Sequence, residues 1–134
     1  MSAEDIANKL WNLCNVLRDD GITYHQYLNE LTYILFLRLS EVKGFENEIP
    51  EDYRWGKLKG TKDNKELFDT YRELLATISN KSNNATIKEI YTNASTSLRK
   101  PANLKTLVTS IDAIDWFDNE EQDKIATIYE ELLW

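Results

Sequence analysis

Apolar residues recur at helical spacing along most of this chain. Near the amino terminus, Ile6, Leu10, Leu13 and Leu17 follow one another at intervals of four, three and four positions, which places them on one stripe of a helix. Comparable stripes occur in four later segments: Leu67, Phe68, Tyr71, Leu74, Leu75 and Ile78; Ile87, Ile90 and Tyr91; Leu104, Leu107, Val108 and Ile111; and Ile125, Ile128, Tyr129, Leu132 and Leu133. No window alternates apolar and polar residues for long enough to predict a sheet. The pattern therefore predicts an all-α fold, a compact bundle of about five or six helices.

The most apolar run of the chain, residues 33–37, belongs to a further helix in the first third of the sequence. Thr23 and Gln26 have the spacing of a capping box, and Gly44 is a natural helix end. The helix predicted between them runs from about Tyr24 to Val42. It is apolar on most of its sides, which predicts a central position surrounded by the other helices.

The helical pattern lapses between residues 45 and 62. Pro50, Gly56 and Gly60 interrupt this part of the sequence, which predicts one long loop from about residue 45 to residue 62. Charge is segregated along it, with an acidic group followed by a basic one: Glu46, Glu48, Glu51 and Asp52, then Arg54, Lys57, Lys59, Lys62 and Lys65 with Asp63 alone against them. Segregated charge orients binding partners.

The net charge of −7 is concentrated at the carboxyl end. Residues 111–134 contain eight acidic side chains and one basic side chain, Lys124, so the first 110 residues are neutral overall. The acidity therefore does not exclude an anionic partner for the earlier part of the chain. Cys14 is the one cysteine, and the acidic amino terminus has no pattern of a secretory signal. These features predict a cytoplasmic protein with no membrane partner.

The sequence contains no motif for catalysis, cofactor binding or metal binding. It has no glycine-rich phosphate loop, and His25 is its only histidine, so the clustered His and Cys ligands of a metal site are missing. A helix-turn-helix reader of DNA is excluded, because the helix after Gly21 begins with Tyr24, Tyr27 and Leu28 where such a reader needs polar and basic residues. The chain by itself is not predicted to be an enzyme.

Four stretches together resemble a known family. In chain order they are "LWNLCNVLRDDGITYHQYLNELTYILFLRLSE", "IPEDYRWGKL", "NASTSLRKPANLKTLVTSIDAIDW" and "IATIYEELL". Their combination resembles the amino-terminal helical domain of the modification (methylase) subunit of type I restriction–modification systems. The likeness covers nearly the whole chain, and "SNKSNNATIKEI" is its least characteristic section.

The resemblance implies a parent protein that uses S-adenosylmethionine to methylate the N6 of adenine in DNA. In this family a catalytic domain carries a glycine-rich cofactor motif and an Asn-Pro-Pro-aromatic motif, and neither motif occurs in this chain. No catalytic or cofactor-binding residue can therefore be assigned here. Residues 1–134 are expected to form a single helical amino-terminal domain of a longer methylase subunit. The partners implied are double-stranded DNA, a specificity subunit, a second methylase subunit and, in some systems, a restriction subunit.

Two roles for this domain stay open. In the first, it holds DNA weakly by its backbone, and the candidate contacts are Arg54, Trp55, Lys57, Lys59 and Lys62. In the second, it is a structural protein–protein interaction module without DNA contact, and the candidate interface residues are Tyr129, Leu133 and Trp134. Neither role includes reading the DNA sequence, because in this family a different subunit does so.

Overall fold

The computed structural model describes residues 3–44 and 46–114, and these residues form six α-helices and no β-strand. The helices are α1 (Ala3–Leu17), α2 (Tyr24–Lys43), α3 (Trp55–Gly60), α4 (Asn64–Lys81), α5 (Ala85–Ile90) and α6 (Pro101–Asp112). Short 3-10 helices lie at Arg18–Asp20, Glu46–Glu48 and Glu51–Tyr53. The prediction of an all-α bundle is confirmed, while the last predicted stripe, from Ile125 to Leu133, lies outside the described residues. None of the described helices is both long enough and apolar enough to cross a membrane.

The capping box predicted at the start of α2 is present. The backbone N–H of Gln26 donates to Thr23 Oγ1 at 3.2 Å, and the N–H of Thr23 donates to Gln26 Oε1 at 2.8 Å. These bonds satisfy N–H groups that have no acceptor within the first turn of a helix. At the other end, Gly44 has a φ of 80°, a left-handed conformation that glycine adopts without strain. Local sequence therefore sets both ends of α2.

α2 lies at the centre of the bundle and packs against α1, α3 and α6. Its buried apolar side chains surround most of the helix: Tyr27, Leu31, Ile34, Leu35, Leu37 and Leu39. The Tyr27 hydroxyl donates to the carbonyl of Leu10 in α1, and the Tyr91 hydroxyl donates to the carbonyl of Tyr33 at 2.7 Å. The predicted central position is confirmed, and it explains why the most apolar run of the chain lies here.

The second half of the bundle is formed by α4, α5 and α6, with α4 packed against both of the others. Asp63 caps α4 and Asn84 caps α5, each accepting two backbone N–H bonds with its side chain. Pro101 occupies the first turn of α6, as the sequence predicts. The buried side chains of these helices join those of α1 and α2 in one hydrophobic core.

Glu30 is a buried carboxylate of α2 that holds the irregular segment before α6. It accepts hydrogen bonds from Thr96 Oγ1 at 2.7 Å, from the N–H of Ser97 at 2.6 Å and from the Tyr71 hydroxyl. Its residue is only 1% exposed. Burying a carboxylate is costly unless hydrogen bonds replace its hydration, so this cluster of donors is a condition for the packing of α2.

Asp20 is a second buried carboxylate, and it binds the backbone at the start of α6. Its carboxylate accepts from the N–H groups of Arg99 and Lys100 at 2.8 and 3.1 Å, and from Asn103 Nδ2 at 3.0 Å. The residue is 4% exposed and lies in the 3-10 helix after α1. A side chain from the first quarter of the chain thus fixes the entry into the last described helix.

The segment predicted as one long loop contains more regular structure than expected. Two 3-10 helices and the six-residue α3 occupy most of it. Burial stabilises these short elements, because Ile49, Tyr53, Trp55 and Leu58 all lie in the core. An element of six residues is too short to show helical periodicity in the sequence, which is why the pattern there resembled a loop.

Candidate nucleic-acid interface

The predicted DNA contacts lie on and beside α3. Two of its residues, Trp55 and Leu58, are spaced three apart and buried, which fixes the short helix on the core. Lys57 and Lys59 lie between and after them and are exposed, as is Lys62 beyond the helix end. The burial of Trp55 and Leu58 therefore leaves the three lysines, which form a basic turn, facing solvent.

Trp55 is not part of that exposed surface, and its prediction as a DNA contact is wrong. Its residue is 0% exposed, and its indole Nε1 donates to Asp112 Oδ1 at 2.8 Å. A base can stack only on an aromatic face that solvent can reach. Its role is to anchor α3 to the carboxyl end of α6.

Arg54 is half-buried and supports the same turn from the other side. Its Nε donates to the carbonyl oxygens of Glu46 and Ile49 at 3.1 and 3.0 Å. The guanidinium therefore holds the two 3-10 helices against the start of α3. Arg54 has a structural function first, and it is a weaker candidate for DNA contact than the exposed lysines.

Lys59 already has a counter-charge. Its Nζ lies 3.7 Å from Asp112 Oδ1, and Arg38 approaches the same oxygen at 3.9 Å. The Lys59 side chain is 45% exposed, so the pair is partly hydrated and contributes little to stability. A DNA phosphate would have to compete with Asp112 for this ammonium group.

Lys57 and Lys62 are the exposed cations of the turn, and neither forms an ion pair among the residues that the structure describes. The backbone between them is fixed at Thr61, whose hydroxyl donates to the carbonyl of Lys57 at 2.8 Å. Lys105 of α6 donates from Nζ to the carbonyl of Thr61, also at 2.8 Å. The structure thus presents two unpaired ammonium groups on a turn whose backbone is held by hydrogen bonds from the side chains of Thr61 and Lys105.

Asp112 and Lys105 are parts of this site that sequence reasoning missed. In sequence Asp112 belongs to the acidic carboxyl end, whereas in the structure it accepts a hydrogen bond from Trp55 and lies beside the ammonium group of Lys59. The sequence does indicate that Asp112 faces the core side of α6. Leu104, Val108 and Asp112 follow one another at intervals of four, so they share one face of the helix. No comparable signal pointed to Lys105, because its acceptor is a backbone carbonyl.

The predicted subunit-interface residues Tyr129, Leu133 and Trp134 lie outside the described residues. Their candidacy stays a prediction from sequence.

The cleft beside α1 does not fit the cofactor that the resemblance implies for the parent protein. S-adenosylmethionine carries a sulfonium and an ammonium group against a single carboxylate, so its net positive charge favours a site that contains carboxylates. Among the residues that the structure describes, those that line this cleft include Arg18 and no carboxylate; the others are Trp11, Asn12, Cys14, Asn15, Ile22 and Tyr24. Among the residues that the structure describes, no group of three or more His, Cys, Asp or Glu side chains is placed to hold a metal ion.

Comparisons with family models and with known proteins point to the same family. A sequence model of the HsdM N-terminal domain matches residues 6–111. The type I restriction enzyme EcoKI methylase subunit of Escherichia coli (strain K12) is 34% identical over 137 residues, covering 99% of this chain and 26% of that subunit. The chain thus spans about a quarter of the length of this curated relative.

Two solved structures have similar folds. The crystal structure of the EcoKI M protein aligns with a TM-score of 0.74 and 36% identity, covering 84% of this chain and 23% of that one. A structure determined for the assembly and conformational transition of the type I R-M system aligns over 99% of this chain, with a TM-score of 0.68 and 20% identity. The second likeness covers 30% of that chain and shows the fold alone.

Proposed function

The chain belongs to the HsdM N-terminal domain family, and on that premise we propose that it helps a type I methylase hold DNA by its backbone. The observation that carries this proposal is the basic turn of α3, defined here as Lys57, Lys59 and Lys62. Lys57 and Lys62 are exposed, and no carboxylate pairs with them among the described residues.

The chemistry of the turn favours phosphates over bases as its ligands. A lysine ammonium is a compact charge that approaches phosphate from many directions, whereas base reading requires a planar or bidentate group at a fixed position in a groove. Trp55 is buried and Arg54 holds neighbouring carbonyls, so the turn lacks an exposed aromatic or bidentate side chain. Contact would be weak, independent of sequence and strongly dependent on salt.

The activity of the parent protein is part of the same proposal. Its S-adenosylmethionine site and its adenine-N6 methyltransferase chemistry would lie in another domain. The parent would act with a specificity subunit and a second methylase subunit, and in some systems with a restriction subunit. The name of the EcoKI relative, a type I restriction enzyme methylase subunit, supports this assignment.

The test is the salt dependence of DNA binding by the assembled methylase. Replacing both Lys57 and Lys62 with Gln should flatten the plot of log affinity against log salt by about 2 units, since each phosphate contact contributes about 0.9 to the slope. A matched control replaces the exposed Lys9 and Lys88 of α1 and α5 with Gln, which changes the net charge equally and should leave the slope unaltered. The preferred DNA sequence should be the same for all three proteins.

A wild-type slope in the Lys57 and Lys62 variant would contradict DNA holding by this turn. The second candidate function would then replace it, namely a subunit-interaction module that uses the apolar residues Tyr129, Leu133 and Trp134 of the acidic carboxyl end. Loss of the specificity subunit on replacing those three residues would support that function.

A further inference from the structure

Lys105 of α6 carries a half-buried ammonium group that has no counter-charge among the residues that the structure describes. Its Nζ donates to the carbonyl oxygen of Thr61 at 2.8 Å, and no carboxylate of the described ranges forms an ion pair with it. A charge that is partly withdrawn from water is costly unless an opposite charge or several hydrogen bonds replace its hydration. An ammonium group has three N–H donors, so two remain for water or a ligand.

This ammonium group lies beside the basic turn, although Lys105 belongs to a different helix. Thr61 is the residue before Lys62, and its hydroxyl donates to the carbonyl of Lys57 at 2.8 Å. The hydrogen bond from Lys105 therefore brings a third cation to the stretch of backbone between the two exposed lysines. An anion that binds at this stretch would meet charges from α6 and from the segment around α3.

The hydrogen bond to Thr61 also fixes the position of this charge. Lys57 and Lys62 are exposed, and holding a long, exposed side chain in one conformation costs conformational entropy when a ligand binds. The Lys105 side chain is already held by Thr61 and by partial burial. Contact between a phosphate and Lys105 therefore requires less ordering than contact with either of the other two lysines.

The carboxylate that is nearest to the turn in sequence has a different role. Asp63 Oδ1 accepts from the N–H groups of Lys65 and Glu66 at 2.8 and 3.3 Å, which caps α4. These N–H groups offset part of its negative charge. Among the described residues Asp63 forms an ion pair with neither Lys62 nor Lys105, so both ammonium groups keep their charge for a ligand.

Lys59 belongs to the turn by sequence, but its charge is already paired. Its Nζ lies 3.7 Å from Asp112 Oδ1, and the same oxygen accepts from Trp55 Nε1 at 2.8 Å. The hydrogen bond from Trp55 holds the carboxylate in place beside the ammonium group. A phosphate that approaches Lys59 therefore meets a fixed negative charge as well as a positive one.

We propose that the third phosphate contact of the basic turn is made by Lys105 of α6 and not by Lys59 of α3, because Asp112 pairs with Lys59 and keeps it from DNA. The inference rests on the proposed function and extends the surface that holds DNA from α3 to α6. Asp112 thereby limits the number of phosphates that this surface holds, which keeps the contact weak and reversible.

The salt dependence of DNA binding by the assembled methylase distinguishes the two lysines. Lys105→Gln removes the charge and keeps an N–H donor for Thr61, and it should flatten the plot of log affinity against log salt by about 0.9. Lys105→Arg keeps the charge and should retain the wild-type slope. The matched control combines Lys59→Gln with Asp112→Asn, which removes the ion pair at constant net charge and should leave the slope unaltered.

Asp112→Asn alone gives a second test that leaves Lys105 untouched. The asparagine keeps a side-chain oxygen to accept from Trp55, but it no longer neutralises Lys59. Lys59 should then contact a phosphate and steepen the slope by about 0.9, and adding Lys59→Gln should abolish this change. An unchanged slope in Asp112→Asn would show that Asp112 does not keep Lys59 from DNA and would overturn that part of the proposal.

The variant that carries Lys57→Gln and Lys62→Gln separates failure of this inference from failure of the proposed function. If that variant flattens the slope while Lys105→Gln does not, Lys105 is not the third contact, although the turn still holds DNA. A wild-type slope in both variants would instead contradict the proposed function itself. Far-UV circular dichroism and the midpoint of chemical unfolding, equal to those of the wild type, would establish that the bundle of each variant is intact.

Discussion

Glu30 is an ionisable residue that lies buried on the central helix, where the apolar pattern predicts hydrophobic side chains. Its neighbours in sequence predict a central helix, yet this position carries a carboxylate that is 1% exposed. Burial raises the pKa of the Glu30 carboxyl, and the hydrogen bonds from Tyr71, Thr96 and Ser97 oppose that shift without cancelling it. A carboxyl group with a raised pKa binds its proton more tightly in the folded state than in the unfolded chain.

This shift determines the sign of a pH effect. The contribution of Glu30 to stability should decline as pH rises from the ordinary value of 4.5 through the raised pKa, because the unfolded chain loses its proton first. Glu30→Gln removes the titration and keeps an amide oxygen to accept hydrogen bonds. The free energy of unfolding of the wild type minus that of the variant, from urea titrations at a series of pH values, should therefore fall across this window. A difference that grows with pH would contradict the assignment.

The candidate site shows which residue roles sequence could predict. The exposed cations Lys57 and Lys62 could be named from sequence, because a cluster of lysines with one opposing carboxylate is a local property. The roles of Trp55 and Asp112 could not, because the two residues are 57 positions apart and meet only when α3 packs on α6. The role of Asp20 could not be predicted for the same reason, because the groups that donate hydrogen bonds to its carboxylate lie 79 and more positions away.

At the scale of elements, α2 determines whether the bundle holds together. Leu35 lies on it with 1% exposure, so truncating it to Ala should lower the free energy of unfolding by about 2–5 kcal/mol through lost burial and the cavity left behind. Asn29→Ala, at an exposed position of the same helix, is the matched control and should change stability by no more than about 0.5 kcal/mol. Chemical denaturation of the two variants is the measurement. A cost below about 0.5 kcal/mol for Leu35→Ala would show that α2 is not central.

Element prediction succeeded where caps and periodicity agreed. The ends of α2 and the proline at the start of α6 follow from local sequence and match the structure. α3 was missed as a helix because its six residues owe their conformation to the burial of Trp55 and Leu58. Tertiary packing decides the conformation of such short elements, and a local pattern does not report it.

At the scale of the whole molecule, the arrangement of charge matters more than its total. A net charge of −7 would by itself repel DNA, yet the acidic excess belongs to residues 111–134 and the basic turn belongs to the neutral part of the chain. Exposed charges of opposite sign that lie farther apart than about 10 Å interact weakly at moderate salt. The net negative charge of the chain therefore does not by itself exclude a phosphate contact at the basic turn.

The most direct measurement of the central claim is the position of α3 on DNA in the assembled methylase. In a Cys14→Ser background, an iron chelate that cleaves the nearby DNA backbone would be attached at Lys57→Cys, and at Lys88→Cys on α5 as the control. The account predicts cleavage from position 57 at a constant distance from the recognition site, whatever the flanking sequence, and little or none from position 88. Equal cleavage from both positions, or none from position 57 in an assembly that still binds DNA, would contradict it.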